Sequence, residues 1–151
     1  MSSTSVPTAW VRLLRGHTEL TRRMDAHLRK AHGLSLREYE VLLALSDAPG
    51  SRLRRVDLAA KVLLTQGGVT RMLDSLERDG LVSRGASATD RRVVFAELTG
   101  TGRRRLTAAR RTHHEDIDAL FTARFDAAEL AELDGLLARL PGAEGERDWA
   151  G

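Results

Sequence analysis

In LLTQGGVTRMLDSLERDGLVSR, residues 63–84, the apolar residues Val69, Met72, Leu73 and Leu76 recur at helical spacing. A helix that buries this stripe turns Gln66, Gly67, Thr70, Arg71 and Asp74 outward. Its leading turns then carry an amide, a hydroxyl and a guanidinium on one surface, and such groups read base edges. Arginine binds guanine bidentately, glutamine does the same for adenine, and threonine donates or touches a thymine methyl. Glycine inside a helix costs about 1 kcal/mol relative to alanine, so the pair Gly67-Gly68 needs a reason. Bare backbone there lets the helix end approach bases or phosphates with little obstruction. The plainer alternative is a surface helix with incidental glycines.

A second group is Asp90-Arg91-Arg92, in the polar stretch Gly85 to Arg92 between two apolar runs. A slender arginine-bearing finger can enter the minor groove, where negative potential is enhanced. Asp90 beside phosphate makes sense only if it pairs with a nearby arginine and fixes its direction. The alternative is a solvated loop. Arg52, Arg54 and Arg55 read as phosphate contacts or as a solvated link.

These groups need elements to hold them. Trp10, Leu13, Leu14, His17, Leu20, Met24, His27, Leu28 and Ala31 recur every three or four residues, which predicts a helix with one buried stripe, stopped by Gly33. Ser35 and Glu38 form a capping box, with Leu34 and Tyr39 as hydrophobic staple, for a helix to about Ser46. The link Ser51 to Arg54 leads into a short helix carrying Val56, Leu58, Ala59, Val62 and Leu63. Thr65 then caps the helix Gln66 to Asp79, closed by Gly80. Two helices joined by so tight a turn outline a helix-turn-helix. Beyond Gly80 the period becomes two, and Leu81–Arg84 and Val93–Leu98 read as a hairpin with an arginine-bearing tip. Thr99 caps a long helix to about Phe125, and Asp126 with Glu129 boxes a last helix ending at Leu140-Pro141-Gly142, with Phe125 and Leu130 as staple. The fold class is mainly α: a winged helix-turn-helix at 35–98, enclosed by helices at 10–34 and 99–140, with flexible ends at 1–9 and 141–151.

With 151 residues, 42% of them hydrophobic, the chain supports one domain with a real core. Net charge is only +3, but arginines cluster at Arg52–Arg55, Arg84–Arg92 and Arg103–Arg111, which points to a polyanion partner. There is no cysteine, so disulfides, thiolate metal sites and thiol redox sensing are excluded. No export signal or long apolar run stands out, and the cytoplasm is the expected location, with no membrane partner. His113-His114-Glu115-Asp116 suggests a metal at first sight. Adjacent helical residues point about 100° apart, however, so only His114 and Asp118 share a face, and two ligands do not make a zinc site. Neither a metal nor a cofactor is expected. No cysteine nucleophile, phosphate-cradling loop, GxSxG or metal triad appears, which argues against an enzyme.

LLTQGGVTRMLDSLERDGLVSR followed by TDRRVVFAELTGTGRRRL resembles the signature region of the MarR family of winged-helix regulators. The resemblance runs from about Trp10 to Leu140 and includes LSLREYEVLLAL and DAAELAELDGLLARL. Its specific parts are the Asp-x-Arg wing ending in Leu98-Thr99 and the turn Val69-Thr70-Arg71. It implies a homodimer whose terminal helices interlock, with the two winged domains in successive major grooves and each wing in the minor groove. By motif position Arg92 is the wing-tip arginine, Asp90 orients it, and Gln66, Thr70 and Arg71 contact DNA. The full set of expected DNA contacts is Arg54, Arg55, Thr65, Gln66, Gly67, Gly68, Thr70, Arg71, Asp90, Arg91 and Arg92. Gly67 departs from the bulkier polar residue often found there, which shifts weight from base contacts toward DNA shape. The resemblance also implies a small-molecule effector, often an aromatic acid, for which His17, Tyr39 and His113 are candidate contacts. A histidine on an apolar stripe is equally a hydrogen-bonded core or interface residue.

A dimer also follows without the family. The first and last two helices are amphipathic, and a small winged domain offers too little apolar surface to cover them all. Two-fold symmetry then predicts an inverted repeat with half-sites about 10 base pairs apart. The leading expectation is a repressor released from its operator by an effector. The alternative is a winged-helix ligand-binding or protein-docking module without specific operator recognition.

Overall fold

The computed structural model describes residues 5–62 and 66–143. The chain divides into two compact units, the first ending at His113 and the second beginning at His114. In the first, α1 (Val6–His32) and α2 (Leu36–Asp47) are followed by a 3-10 turn (Pro49–Ser51), β1 (Arg52–Arg54), α3 (Arg55–Lys61), α4 (Gln66–Arg78), β2 (Val82–Ala86), β3 (Val94–Leu98) and the start of α5 (Gly100–Thr122). The second holds the end of α5 and α6 (Ala127–Leu137). No described helix is long and apolar enough to cross a membrane.

Caps set most of these ends. Gly33, at φ 67°, closes α1 by donating its N–H to the Arg29 carbonyl. The Ser35 hydroxyl accepts from the Glu38 N–H, and the Glu38 carboxylate accepts in return from the Ser35 N–H, as the capping box requires. Asp25 adds a long-range cap, accepting from the Leu36 N–H at 2.9 Å. Burial works against its charge, but the hydrogen bonds from Arg29 and Leu36 prevail and hold its carboxyl below the usual range. Gly80, at φ 71°, ends α4 in a Schellman turn: its N–H donates to Glu77, and that of Leu81 to Leu76. Asp126 and Glu129 make the second capping box at α6.

Several boundaries move. The first helix begins at Val6 rather than Trp10, because Ser5 caps it and Pro7 suits its first turn. Ser51–Arg54, expected as a link, contains a strand. β1 pairs antiparallel with β3, Leu53 opposite Ala96, giving sheet order β1-β3-β2. The hairpin strands are Val82–Ala86 and Val94–Leu98, α5 stops at Thr122 and α6 at Leu137.

The core of the first unit joins Leu28, Leu34, Tyr39, Val41, Leu42, Leu45, Leu58, Val69, Leu73, Leu76, Leu81, Ala96, Leu106 and Ala109, all of them buried. Each such leucine contributes roughly 1.5–3 kcal/mol by leaving water. The predicted stripe of α1 is buried only at Met24 and Leu28. Trp10, Leu13 and Leu14 are exposed in the single chain, and so is Val56 on α3. The base of the wing is the tightest joint. The Thr99 hydroxyl donates toward the Gly80 and Leu81 carbonyls and accepts from the Gly102 N–H. A Cβ on Gly102 would lie 2.0 Å from the Leu81 carbonyl oxygen, so only glycine lets α5 pass there.

Candidate nucleic-acid interface

α4 buries Val69, Leu73 and Leu76 completely, which fixes its rotation about its own axis. The opposite face opens with Gly67, where an added Cβ would meet nothing within 4 Å. The protein's own packing therefore gives no reason for glycine at this position, whereas at Gly102 it does. Arg71 is exposed and has no ion-pair partner among the described residues. Gly68 and Thr70 are partly buried and engaged within the protein. Thr65, expected as cap and contact, lies outside the described residues, as does the side chain of Gln66.

The hairpin tip runs from Ser87 to Val93 and is closed by the Ser87 N–H donating to the Val93 carbonyl at 3.0 Å. Asp90 holds the turn. Its carboxylate accepts from the Arg92 N–H at 2.9 Å, and its carbonyl from the Val93 N–H at 3.1 Å. The expected Asp–Arg pairing thus takes a backbone form: Asp90 orients the peptide that carries Arg92, and its guanidinium is left out of the pair. Arg91 and Arg92 are exposed, and neither guanidinium has a partner among the described residues. An unpaired guanidinium on a narrow tip is poised for an anion brought from outside.

Several other arginines of the three clusters are committed internally. Arg54 makes a bidentate contact with Asp57, at 2.6 and 3.0 Å, which raises its already high pKa. Both side chains are about half exposed, so water screens the pair and a phosphate can displace it. Arg52 lies over the Phe95 ring, 3.9 Å from its centroid. Arg55 is partly buried and its Nε lacks a hydrogen bond. Arg84 is held by Asp74 and Glu77 of α4. Arg103 donates to the Ser51 hydroxyl, and Arg105 to the His32 carbonyl at 2.7 Å, capping the last turn of α1. Of the arginines placed above, those both exposed and without an internal partner among the described residues are Arg71, Arg91 and Arg92, on one helix and one hairpin.

Of the three effector candidates, the structure brings two together. The Tyr39 and His113 rings are 4.9 Å apart between centroids, tilted by 52°, and both side chains are buried. The Tyr39 hydroxyl has no hydrogen-bond partner among the described residues, and burial pushes its pKa above the ordinary phenol value. His17 stands on the exposed part of α1. Among the described residues no three His, Asp or Glu side chains gather as a metal site. Sequence reasoning missed Arg84, Gly102 and Asp25 as positioning residues. The small residues of Thr99-Gly-Thr-Gly102 were the one local signal, since they mark a close approach.

A family model described as the MarR family matches residues 32–93. The chain is 34% identical over 110 residues to the HTH-type transcriptional regulator MhqR of Bacillus subtilis, covering 73% of this chain and 74% of MhqR. It is 36% identical over 94 residues to the HTH-type transcriptional repressor YetL of the same organism, covering 62% of this chain and 56% of YetL. Its fold is similar to that of Sco3205, a MarR family transcriptional regulator of Streptomyces coelicolor crystallised in complex with DNA. The TM-score is 0.78 at 24% identity, over 91% of this chain and 89% of the other.

Proposed function

The chain belongs to the MarR family of transcription regulators, and on that premise we propose that it acts as a homodimer that binds an inverted-repeat operator in double-stranded DNA. The family is one of regulators and not of enzymes. The observation that carries the reading is the placement of the uncommitted cations. Arg71 on the open face of α4 and Arg91 and Arg92 on the wing tip are exposed without partners among the described residues, while Arg52, Arg54, Arg84, Arg103 and Arg105 are engaged. In this reading the first turns of α4 enter the major groove beside Gly67, Gly68, Thr70 and Arg71, together with Thr65 and Gln66. The wing reaches the minor groove with Arg92, on a turn held by Asp90. Arg54 and Arg55 bind phosphates. That Sco3205, similar in fold, was crystallised in complex with DNA is consistent with a DNA partner.

The winged domain is residues 35–98, and the helices at 10–34 and 99–140 form the dimer. Support comes from apolar side chains that a single chain leaves in water: Trp10, Leu13 and Leu14 on α1, and Leu136 and Leu137 on α6. A second copy is their natural cover. The protein works in the cytoplasm as a repressor, the role named for YetL. A small aromatic acid that engages Tyr39, His113 and His17 favours a dimer whose heads no longer match the groove spacing, and the operator is released.

Selection from random duplexes followed by footprinting tests the reading. The expected result is a protected inverted repeat with half-sites about 10 base pairs apart. Binding with no sequence preference at moderate salt overturns it and leaves a ligand-binding or docking module.

A further inference from the structure

We propose that Arg84 is a positioning residue that locks the wing to the recognition helix, so that the two enter DNA as one rigid piece. The inference rests on the DNA-binding reading above. Arg84 lies on β2, beyond the buried base of the wing: Val82 is the one buried residue of that strand, and Ser83 to Ala86 face solvent. Past Val82, then, no side chain of β2 is anchored in the core, and on β3 the last core residue toward the tip is Ala96, opposite Arg84. The hairpin's direction depends on pairing with β3 and on whatever ties β2 back to the body.

Arg84 is such a tie. Its Nη1 contacts Asp74 Oδ1 at 2.8 Å, its Nη2 contacts Glu77 Oε2 at 2.5 Å, and its Nε donates to Glu77 Oε2 at 2.6 Å. The Arg84 side chain is only 32% exposed, less than either carboxylate, because it lies between them. The hydrogen bond to Glu77 outweighs partial burial and raises its pKa further. A guanidinium is planar and forked, so contact with two carboxylates on successive turns of one helix fixes orientation as well as distance. On the other flank of the hairpin, Arg52 of β1 lies over Phe95 of β3. The wing is thereby braced from both sides, by an ion pair on one and an aromatic contact on the other.

The clamp also answers a puzzle of charge. Asp74 and Glu77 follow Gly67 and Arg71 along α4 at three- to four-residue intervals, where a polyanion would repel them. Paired with Arg84, they become part of the scaffold instead of a barrier. The cation least free to contact phosphate is thus the one that aims the unpaired Arg92.

The test is a cycle on the full chain with its footprinted duplex, measuring Kd by anisotropy at fixed salt for wild type, R84Q, R92A and R84Q/R92A. Arg84→Gln should weaken binding roughly three- to tenfold. The factor lost through Arg92→Ala should shrink in the R84Q background, because a wing that is no longer aimed gains little from its tip. A D74N/E77Q variant breaks the clamp while keeping the cation, and should shrink the Arg92 factor in the same way. It also serves if R84Q melts out. Independent, multiplying losses make Arg84 a plain phosphate contact and overturn the proposal. So does an undiminished Arg92 factor in D74N/E77Q, and so does a wild type whose specific binding ignores Arg92. Absence of any footprint with wild type would instead sink the DNA-binding reading itself.

Discussion

Replacing Gly67 with alanine separates folding from recognition. The added methyl meets nothing within 4 Å, so no clash offsets the helical preference of alanine. That preference is worth about 0.5–1 kcal/mol inside a helix. Near the first turn the lower end of that range applies. For a chain of this size each kcal/mol raises Tm by roughly 2–4 °C, so free G67A should melt about 1–2 °C higher than wild type. On DNA the sign reverses. If backbone at position 67 meets the duplex, a methyl there is an overpacked contact costing about 1–3 kcal/mol. Since 1.4 kcal/mol is tenfold, the Kd should rise by roughly five- to 150-fold. Thermal melts of the free protein and anisotropy with the selected operator read both quantities on one preparation. A variant that melts higher yet binds operator as wild type does would refute the argument that the glycine is kept bare for DNA. One that melts lower would refute the open space beside it.

Arg71→Ala should lose about 1–3 kcal/mol on the operator and relax preference at one symmetric base-pair position; equal losses on all duplexes in a competition assay reduce Arg71 to a phosphate contact. Arg92→Ala should weaken binding most where operator flanks are A/T-rich, since narrow minor grooves concentrate negative potential, and indifference of Kd to flank composition removes the minor-groove role. Gly102→Ala places a Cβ 2.0 Å from the Leu81 oxygen and 2.8 Å from Leu98 Cδ1; the clash outweighs the helical gain, and calorimetry should show a net loss of about 1–3 kcal/mol or more. Tyr39 is the only tyrosine, so ultraviolet absorbance titrates it alone. Burial raises its folded pKa above the ordinary 10.0; this contribution to stability is therefore present below pH 10 and lost as pH rises through the folded value. Tyrosinate should appear above pH 10 and together with unfolding, and ionisation of a still-folded chain near pH 10 contradicts the buried phenol.

Much of this architecture was legible in the sequence because its signals are local. Ser35 with Glu38, Asp126 with Glu129, and the glycines at 33 and 80 each act over about one helical turn, and they stand where their residue types place them. The shift to period two after Gly80 marked the hairpin to within a few residues. The early start of α1 was also written locally, in Ser5 and Pro7, but the apolar period that begins at Trp10 hid it. The candidate interface was legible in its residue types, though not in which charges are available. Counting arginines treats Arg71, Arg84 and Arg105 alike. Only the folded chain separates an exposed cation from one braced across α4 and from one capping α1 at a sequence distance of 73 residues. β1 is three residues long, too short for a period, and exists because β3 lies beside it. Gly102 is required only because the Leu81 carbonyl passes over it. Caps and periodicity are properties of neighbours along the chain, so the sequence by itself determined the elements and their faces. Ion pairing, strand pairing and close approach depend on distances between residues far apart in sequence, and these only the tertiary structure decided.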